Sequence, residues 1–169
     1  MRRPGKKPSL SEADAMDPNH SHAYAVGLLA RRDYSTAELR RKLQDRGYLE
    51  AAIEPALIEL EETRKLDDQR YGNNVVAYRA RRGQGPARIR NELRRSGLDD
   101  EQIEAAVGGS GEEGPDFITL AREARRRKFG SELPKDWKER ARQARFLQYR
   151  GFSTDHIRAV LEGELPDGD

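Results

Sequence analysis

Cysteine is absent from the 169-residue chain, and long apolar runs are absent as well. The lack of cysteine excludes a disulfide scaffold, a Cys-ligated zinc site and a thiol nucleophile. Hydrophobic residues make up 35% of the chain, and no run approaches the roughly 20 apolar residues of a transmembrane helix. The basic N-terminal stretch is not followed by the apolar segment of a secretory signal. We therefore expect a cytoplasmic protein with no membrane-spanning part.

Residues that favour strands are scarce too, and helix-forming residues dominate from Ala23 onward. Charged residues make up 37% of the chain, but 32 basic and 30 acidic residues leave a formal net charge of only +2. Such a balance allows strong local patches of either sign. Because apolar material is limited, we expect several small helical cores side by side rather than one large core.

The main positive feature of the sequence is an internal repeat. Two copies are offset by 50 residues, so that Ala30, Leu39, Leu43, Gly47 and Ile53 match Ala80, Ile89, Leu93, Gly97 and Ile103. A third copy follows at a further offset of 54 residues, with Leu147, Gly151 and Ile157. The first helix of this third copy is displaced by a longer loop around Phe129–Asp136.

Each copy is predicted to form three short helices. In the first copy, Ser35 and Glu38 have the spacing of a capping box that starts the second helix. Leu39 and Leu43 form an apolar i,i+4 pair on that helix. Gly47 lies where a helix ends in a left-handed residue, which glycine adopts most readily.

The other two copies use different residues for the same plan. In the second copy, Pro86 suits the first position of a helix, and Asp99 with Gln102 can cap the next one. In the third copy, we expect aromatic side chains to supply the bulk that leucine supplies elsewhere, namely Trp137, Phe146, Tyr149 and Phe152. The fold class predicted from these patterns is all-α, with three tandem three-helix repeats that resemble helix-turn-helix units.

The repeat divides the chain into six predicted segments. Residues 1–22 are polar, carry three of the eight prolines and lack periodicity, which predicts a disordered N-terminal arm. Three-helix repeats are predicted over residues 23–65, 66–107 and 116–161. Between the last two, the glycine-rich residues 108–115 predict a flexible linker. Residues 162–169 are predicted to be an acidic tail.

Charge is sorted by segment along the chain. Residues 79–95 carry seven arginines against one glutamate, residues 122–150 carry eleven basic residues against four acids, and residues 99–116 carry seven acids and no basic residue. Solvated helix faces are one explanation of such runs. The other is a surface that contacts DNA phosphates or an acidic partner protein. On that hypothesis the contact residues are Arg81, Arg82, Arg88, Arg94, Arg95, Arg125, Arg126, Arg127 and Lys128.

Residues with the chemistry of an enzyme or a metal site are few. His20 and His22 form an H-x-H pair, but no further ligand lies nearby in the sequence. Asp67 and Asp68 are adjacent and so do not share a helix face, which makes N-capping the better explanation. The glycine turn at residues 83–85 lacks the Lys and hydroxyl residues of a phosphate-binding loop, and no serine lies in a nucleophile elbow. We predict a protein that is not an enzyme and that has no cofactor and no metal.

The order and spacing of four motifs resemble the RecX family, which are bacterial regulators of the RecA recombinase. The motifs are ARRDYSTAEL at 30–39, LDDQRY at 66–71, GQGPARI at 83–89 and RFLQYRGF at 145–152. The resemblance covers about residues 24–161. It implies three tandem three-helix repeats in an elongated, curved array.

The resemblance also implies a function and a partner. Family members bind RecA, lie along the groove of the RecA–DNA filament, and inhibit its ATPase, strand-exchange and co-protease activities in recombination, DNA repair and the SOS response. On this view the nine basic residues face the filament, and the basic helices bind single- or double-stranded DNA weakly. We expect a monomer that does not bind membranes. Two alternatives stay open, a free-standing helix-turn-helix-like DNA-binding protein and a helical-repeat adaptor without nucleic acid.

Overall fold

The computed structural model describes residues 9–109 and 114–162, and within these ranges the chain forms α-helices and no strand. The helices in chain order are α1 (Glu12–Met16), α2 (Pro18–Leu29), α3 (Thr36–Arg46), α4 (Glu50–Glu62), α5 (Asp68–Arg81), α6 (Pro86–Arg95), α7 (Asp100–Gly108), α8 (Phe117–Phe129), α9 (Trp137–Tyr149) and α10 (Thr154–Leu161). The all-α prediction is confirmed. The described residues form two compact units, which lie within residues 1–71 and 72–169.

The first unit contains α2, α3 and α4, which enclose a hydrophobic core. Leu39 and Leu43 of α3 are fully buried in it. The predicted capping box starts α3, because Ser35 Oγ accepts from the Glu38 N–H and the Ser35 N–H donates to the Glu38 carboxylate. Gly47 ends α3 with a φ of +107°, a left-handed conformation that glycine adopts readily. The predicted helix start, apolar pair and helix end are therefore confirmed.

Residues 12–16 and 18–22 are helical, and the prediction of a disordered arm is wrong for them. Asp17 caps α2 by accepting a backbone N–H, and Pro18 occupies the start of α2, where its missing N–H leaves no bond unmade. The preceding helix α1 is held against the start of α4 by a backbone hydrogen bond, in which the Leu49 N–H donates to the Ala15 carbonyl at 2.9 Å. Ser11, Asp17 and Pro18 thus start helices.

The second copy of the repeat corresponds to α5, α6 and α7. Ile89 and Leu93 of α6 are fully buried, as their counterparts in α3 are. Pro86 lies in the first turn of α6, and Asp99 with Gln102 forms the capping box of α7. The helix starts predicted for this copy are confirmed.

The third copy corresponds to α8, α9 and α10, and its core differs from the prediction. Leu147 and Phe152 are buried and Phe146 is half-buried, but Trp137 is 80% exposed and Tyr149 is 79% exposed. The prediction of core bulk is wrong for these last two residues. Tyr149 follows Leu147 by two residues, which places it about 200° around α9 from the core face. Trp137 is the first residue of α9 and precedes the turns that pack.

A backbone contact joins the second and third copies within residues 72–169. The Gly85 N–H donates to the Arg150 carbonyl at 2.8 Å, and the Ala87 N–H donates to the Gly151 carbonyl at 3.1 Å. These bonds pair free N–H groups at the start of α6 with free carbonyls at the end of α9. The partially positive end of the α6 dipole therefore lies beside the partially negative end of the α9 dipole, which is favourable. A Cβ on Gly85 would lie 2.3 Å from the Gly151 carbonyl carbon, so a residue without a side chain is needed there.

Three of the predicted segments fall partly outside the described residues. These parts are residues 1–8 of the arm, residues 110–113 of the linker and residues 163–169 of the tail. Gly108, the first residue of the predicted linker, is the last residue of α7. Over the described ranges, no helix has both the length and the apolar character needed to cross a membrane.

Candidate functional site

Eight of the nine basic residues singled out from the sequence are exposed, and all nine lie within residues 72–169. Arg88 and Arg95 lie on α6 and line a common groove. The other exposed members are distributed over α5, α6, α8 and the turn after α5, and they are Arg81, Arg82, Arg94, Arg126, Arg127 and Lys128. The basic residues therefore form more than one surface.

Arg125 is the exception, because its side chain is only 1% exposed. Its guanidinium donates to the carbonyls of Glu132 and Ser131 at 2.7 and 2.9 Å and to Gln143 Oε1 at 3.3 Å. Burial lowers the pKa of Arg125, and the charge of Arg126 lowers it further. The prediction that Arg125 faces DNA or a partner is wrong, since α8 turns this side chain toward α9 and the loop between the two helices.

The exposed end of α8 is formed by Arg126, Arg127 and Lys128, which we call the α8 cluster. Arg127 lies 3.3 Å from Glu123, one helical turn away. Over the described residues, no carboxylate lies within salt-bridge distance of Arg126 or Lys128. The three cations lie in the last turn of α8, where the helix dipole favours positive charge. The charges of Arg126 and Lys128 are available to an external anion.

A groove of about 610 Å³ lies between α6 and the end of α9, and we call it the α6–α9 groove. Its lining includes Arg79, Arg88 and Arg95 and one acid, Glu92. Both carboxylate oxygens of Glu92 accept from Arg79, each at 2.7 Å. Three arginines against one glutamate leave the lining with a formal surplus of two positive charges.

Exposed aromatic rings accompany these arginines. The Arg88 guanidinium lies 5.6 Å from the centroid of the Tyr149 ring, and Tyr149 also lines the groove. The guanidiniums of Arg79 and Arg82 each lie 5.4 Å from the centroid of the Tyr78 ring. Arginine beside an open aromatic ring is an arrangement that nucleic-acid-binding surfaces use. Sequence reasoning missed Arg79 as a groove residue because it gave weight to charge density rather than to position on a helix face.

Acidic residues lie in the first turn of the third helix of each copy. They are Glu50 in α4, Asp100 in α7 and Asp155 in α10. Further along α7, Glu104 accepts from Arg90 through both oxygens at 2.7 and 2.9 Å, and these bonds hold its pKa below the ordinary value. Negative charge at the start of a helix repels phosphate, which disfavours α4, α7 and α10 as DNA-recognition helices.

The histidines have partners within the protein. His20 Nδ1 lies 2.7 Å from the Tyr48 hydroxyl, and His22 Nε2 lies 3.7 Å from a Glu59 carboxylate oxygen. His156 is half-buried at the start of α10, and burial lowers its pKa. Within the described part of the chain, no three His, Cys, Asp or Glu side chains are placed together to hold a metal ion.

The fold and these surfaces define an all-α protein of tandem three-helix domains with an arginine-rich exterior. Models of the RecX family match all three copies in order. The first three-helix domain matches residues 22–60, the second matches 67–107, and the third matches 116–161. The chain belongs to the RecX family, and the resemblance drawn from the four motifs is confirmed.

Full-length relatives agree with the domain matches. The Regulatory protein RecX of Pseudomonas syringae pv. tomato is 47% identical over 143 residues, which cover 85% of this chain and 90% of that protein. The Regulatory protein RecX of Ectopseudomonas mendocina is 46% identical over 139 residues, which cover 82% of this chain and 91% of that protein. The crystal structure of RecX from Lactobacillus salivarius has a TM-score of 0.74 at 19% identity, covering 89% of this chain and 96% of that chain. This structural likeness shows that the fold is shared.

Proposed function

We propose that this protein regulates the RecA recombinase by binding the RecA–DNA filament and inhibiting its ATP hydrolysis, strand exchange and co-protease activity. The observation that carries the proposal is the match of all three RecX domains, in order, to one chain whose relatives are named regulatory proteins. Such a regulator acts by preferring one state of its partner, so it needs no catalytic residue of its own.

The exposed basic residues support the binding part of this proposal. A nucleoprotein filament presents DNA phosphates and acidic side chains, and arginine binds both through paired hydrogen bonds. The α8 cluster and the α6–α9 groove offer two such surfaces within residues 72–169. Because a filament repeats its subunits, several weak contacts made by one chain raise the overall affinity together.

Charge reversal in the α8 cluster tests the proposal. Changing Arg126, Arg127 and Lys128 to Glu changes the formal net charge from +2 to −4, since each reversal removes two units. We expect affinity for RecA filaments on single-stranded DNA to fall roughly tenfold or more, because attraction to phosphate and acidic side chains becomes repulsion. Fluorescence anisotropy of labelled protein, with filaments held by a non-hydrolysable ATP analogue, measures this affinity.

The matched control reverses three exposed basic residues of the first unit, Arg31, Lys42 and Lys65. It has the same net charge of −4 as the cluster variant. We expect it to bind filaments within about threefold of the unaltered chain, because isolated surface charges contribute little. An equal loss in both variants would contradict a specific role of the α8 cluster. Binding to bare duplex DNA as tight as to filaments would favour the free-standing DNA-binding alternative.

A further inference from the structure

The regulatory proposal uses the positive charge of the α6–α9 groove but not its shape or its aromatic ring. One wall is a single face of α6, because Arg88 and Arg95 are seven residues apart and lie two turns from each other. The other wall is the end of α9, with Gln148 and Tyr149. The hydrogen bond from the Gly85 N–H to the Arg150 carbonyl, at 2.8 Å, fixes the spacing of the two walls. The groove is therefore preformed.

Tyr149 presents an open aromatic ring at this groove. The residue is 79% exposed, although α9 is packed against its neighbours through other residues. The Arg88 guanidinium lies near the ring, 5.6 Å from the centroid, and the remaining ring surface is open to solvent. A large flat ring with an adjacent guanidinium offers a nucleobase a surface on which to stack.

The charges around the ring suit a phosphate group. Over the described residues, no carboxylate lies within salt-bridge distance of Arg88. The one acid of the lining, Glu92, already accepts two hydrogen bonds from Arg79. The amide side chains of Gln84 and Asn91 also line the groove, and amides donate to and accept from base edges and phosphates alike.

We propose that the α6–α9 groove binds single-stranded DNA, with one nucleobase stacked on Tyr149 and an adjacent phosphate held by Arg88 and Arg95. The choice of DNA rests on the proposed function, because the RecA filament assembles on single-stranded DNA. A duplex does not fit this mode, since its bases already stack on one another and face inward. An acidic peptide would use the arginines and leave the ring without a role.

Oligonucleotide binding in the absence of RecA tests this inference. The full chain is titrated against a short labelled oligothymidylate at moderate salt. Tyr149→Ala should weaken binding roughly tenfold, and Tyr149→Phe, which keeps the ring, should bind within about twofold of the unaltered chain. Arg88→Ala should weaken binding and lower the salt dependence by about one phosphate contact. Because Tyr149 is exposed, its replacement leaves the fold in place.

Two controls isolate stacking from charge. Tyr78→Ala removes another exposed tyrosine, which lies beside arginines but outside the groove lining. This variant should bind the oligonucleotide within about twofold of the unaltered chain. A strand of the same length with abasic sites keeps its phosphates and loses its bases. It should bind the unaltered chain as weakly as the intact strand binds Tyr149→Ala.

Three results would overturn the inference. The first is equal binding of the intact strand by Tyr149→Ala and the unaltered chain. The second is an abasic strand that binds as tightly as the intact one, which would mean that the groove recognises only the phosphate charge of the strand. The third is polyglutamate binding that depends on Tyr149 while oligonucleotide binding does not, which would assign the groove to an acidic protein segment.

The inference and the proposed function fail in different ways. Tyr149-dependent oligonucleotide binding without inhibition of RecA would support the groove as a DNA site and contradict the regulatory function. If the chain inhibits RecA but its oligonucleotide binding does not depend on Tyr149, the regulatory function would be supported and the groove assignment contradicted.

Discussion

Arg125 and Gln143 replace an apolar core position by a polar pair in the third domain. The repeat aligns Gln143 with Leu39 and Ile89, which are fully buried, and Gln143 is itself only 3% exposed. Its Oε1 accepts from Arg125 Nη1 at 3.3 Å, while the carbonyls of Glu132 and Ser131 in the α8–α9 loop accept from Nη1 and Nη2 at 2.7 and 2.9 Å. A buried cation is costly unless it is hydrogen-bonded, and these three bonds stabilise the guanidinium. The pair therefore holds α8, α9 and their connecting loop in one arrangement.

Removal of this guanidinium is expected to destabilise the protein. Arg125→Ala should lower the free energy of unfolding by about 2–4 kcal/mol, because the carbonyls of Ser131 and Glu132 and the buried Gln143 lose their donor. Urea unfolding followed by circular dichroism measures the change. Arg126→Ala, one residue further and exposed, should stay within about 0.5 kcal/mol of the unaltered chain. Equal and small effects of the two substitutions would contradict the structural role of Arg125.

The same alignment shows which single residues the sequence could predict. Tyr149 corresponds to Asp45 and Arg95 in the other copies, and both of these residues are exposed. The repeat therefore indicates that Tyr149 lies on the surface, although its aromatic side chain alone suggests a core position. The burial of Arg125 had no comparable indication. Its acceptors are mostly loop carbonyls, and charge density along α8 does not tell which side of the helix faces the core.

Helix ends and glycines decide where the elements begin and meet. The capping boxes at Ser35 and Asp99 were predictable, because each depends on residues only three positions apart. Helix α1 and the start of α2, residues 18–22, were not, because polar residues and proline are frequent both in disordered segments and at helix starts. The contact of Gly85 with Gly151 was not predictable either, since it joins residues distant in sequence.

Gly85→Ala is expected to weaken the backbone contact between the second and third domains. Gly85 has a φ of −83°, which alanine adopts freely, so the effect arises only from the new Cβ, which would lie 2.3 Å from backbone atoms of Gly151 and Phe152. The Ala87 N–H, which donates to the Gly151 carbonyl, should exchange with solvent at least about tenfold faster. Hydrogen exchange followed by NMR measures this rate.

A second helix-associated glycine provides the control for that measurement. Gly27 lies within α2 and has open space where a Cβ would be. Gly27→Ala should leave the exchange rate of Ala87 unchanged and raise stability by about 0.5–1 kcal/mol through helix propensity. If the Ala87 N–H were as well protected from exchange in Gly85→Ala as in the unaltered chain, the proposed role of Gly85 in the contact between the two domains would be contradicted.

For the molecule as a whole, the internal repeat was the most informative part of the sequence. The offsets of 50 and 54 residues, with a low apolar content, predicted an all-α protein of three similar domains, and RecX family models match those three domains. The candidate surfaces were predicted only in part. Clusters of arginine indicate which helices are basic, but the α6–α9 groove depends on how the second and third domains pack, which no local pattern encodes.

The most direct test of the regulatory account is ATP hydrolysis by RecA on single-stranded DNA, titrated with this protein. We predict inhibition at less than one copy of this protein per RecA subunit, because a chain of three domains contacts several subunits of the filament at once. Undiminished hydrolysis at a large molar excess of this protein, together with tight and salt-sensitive binding to bare DNA, would contradict the account.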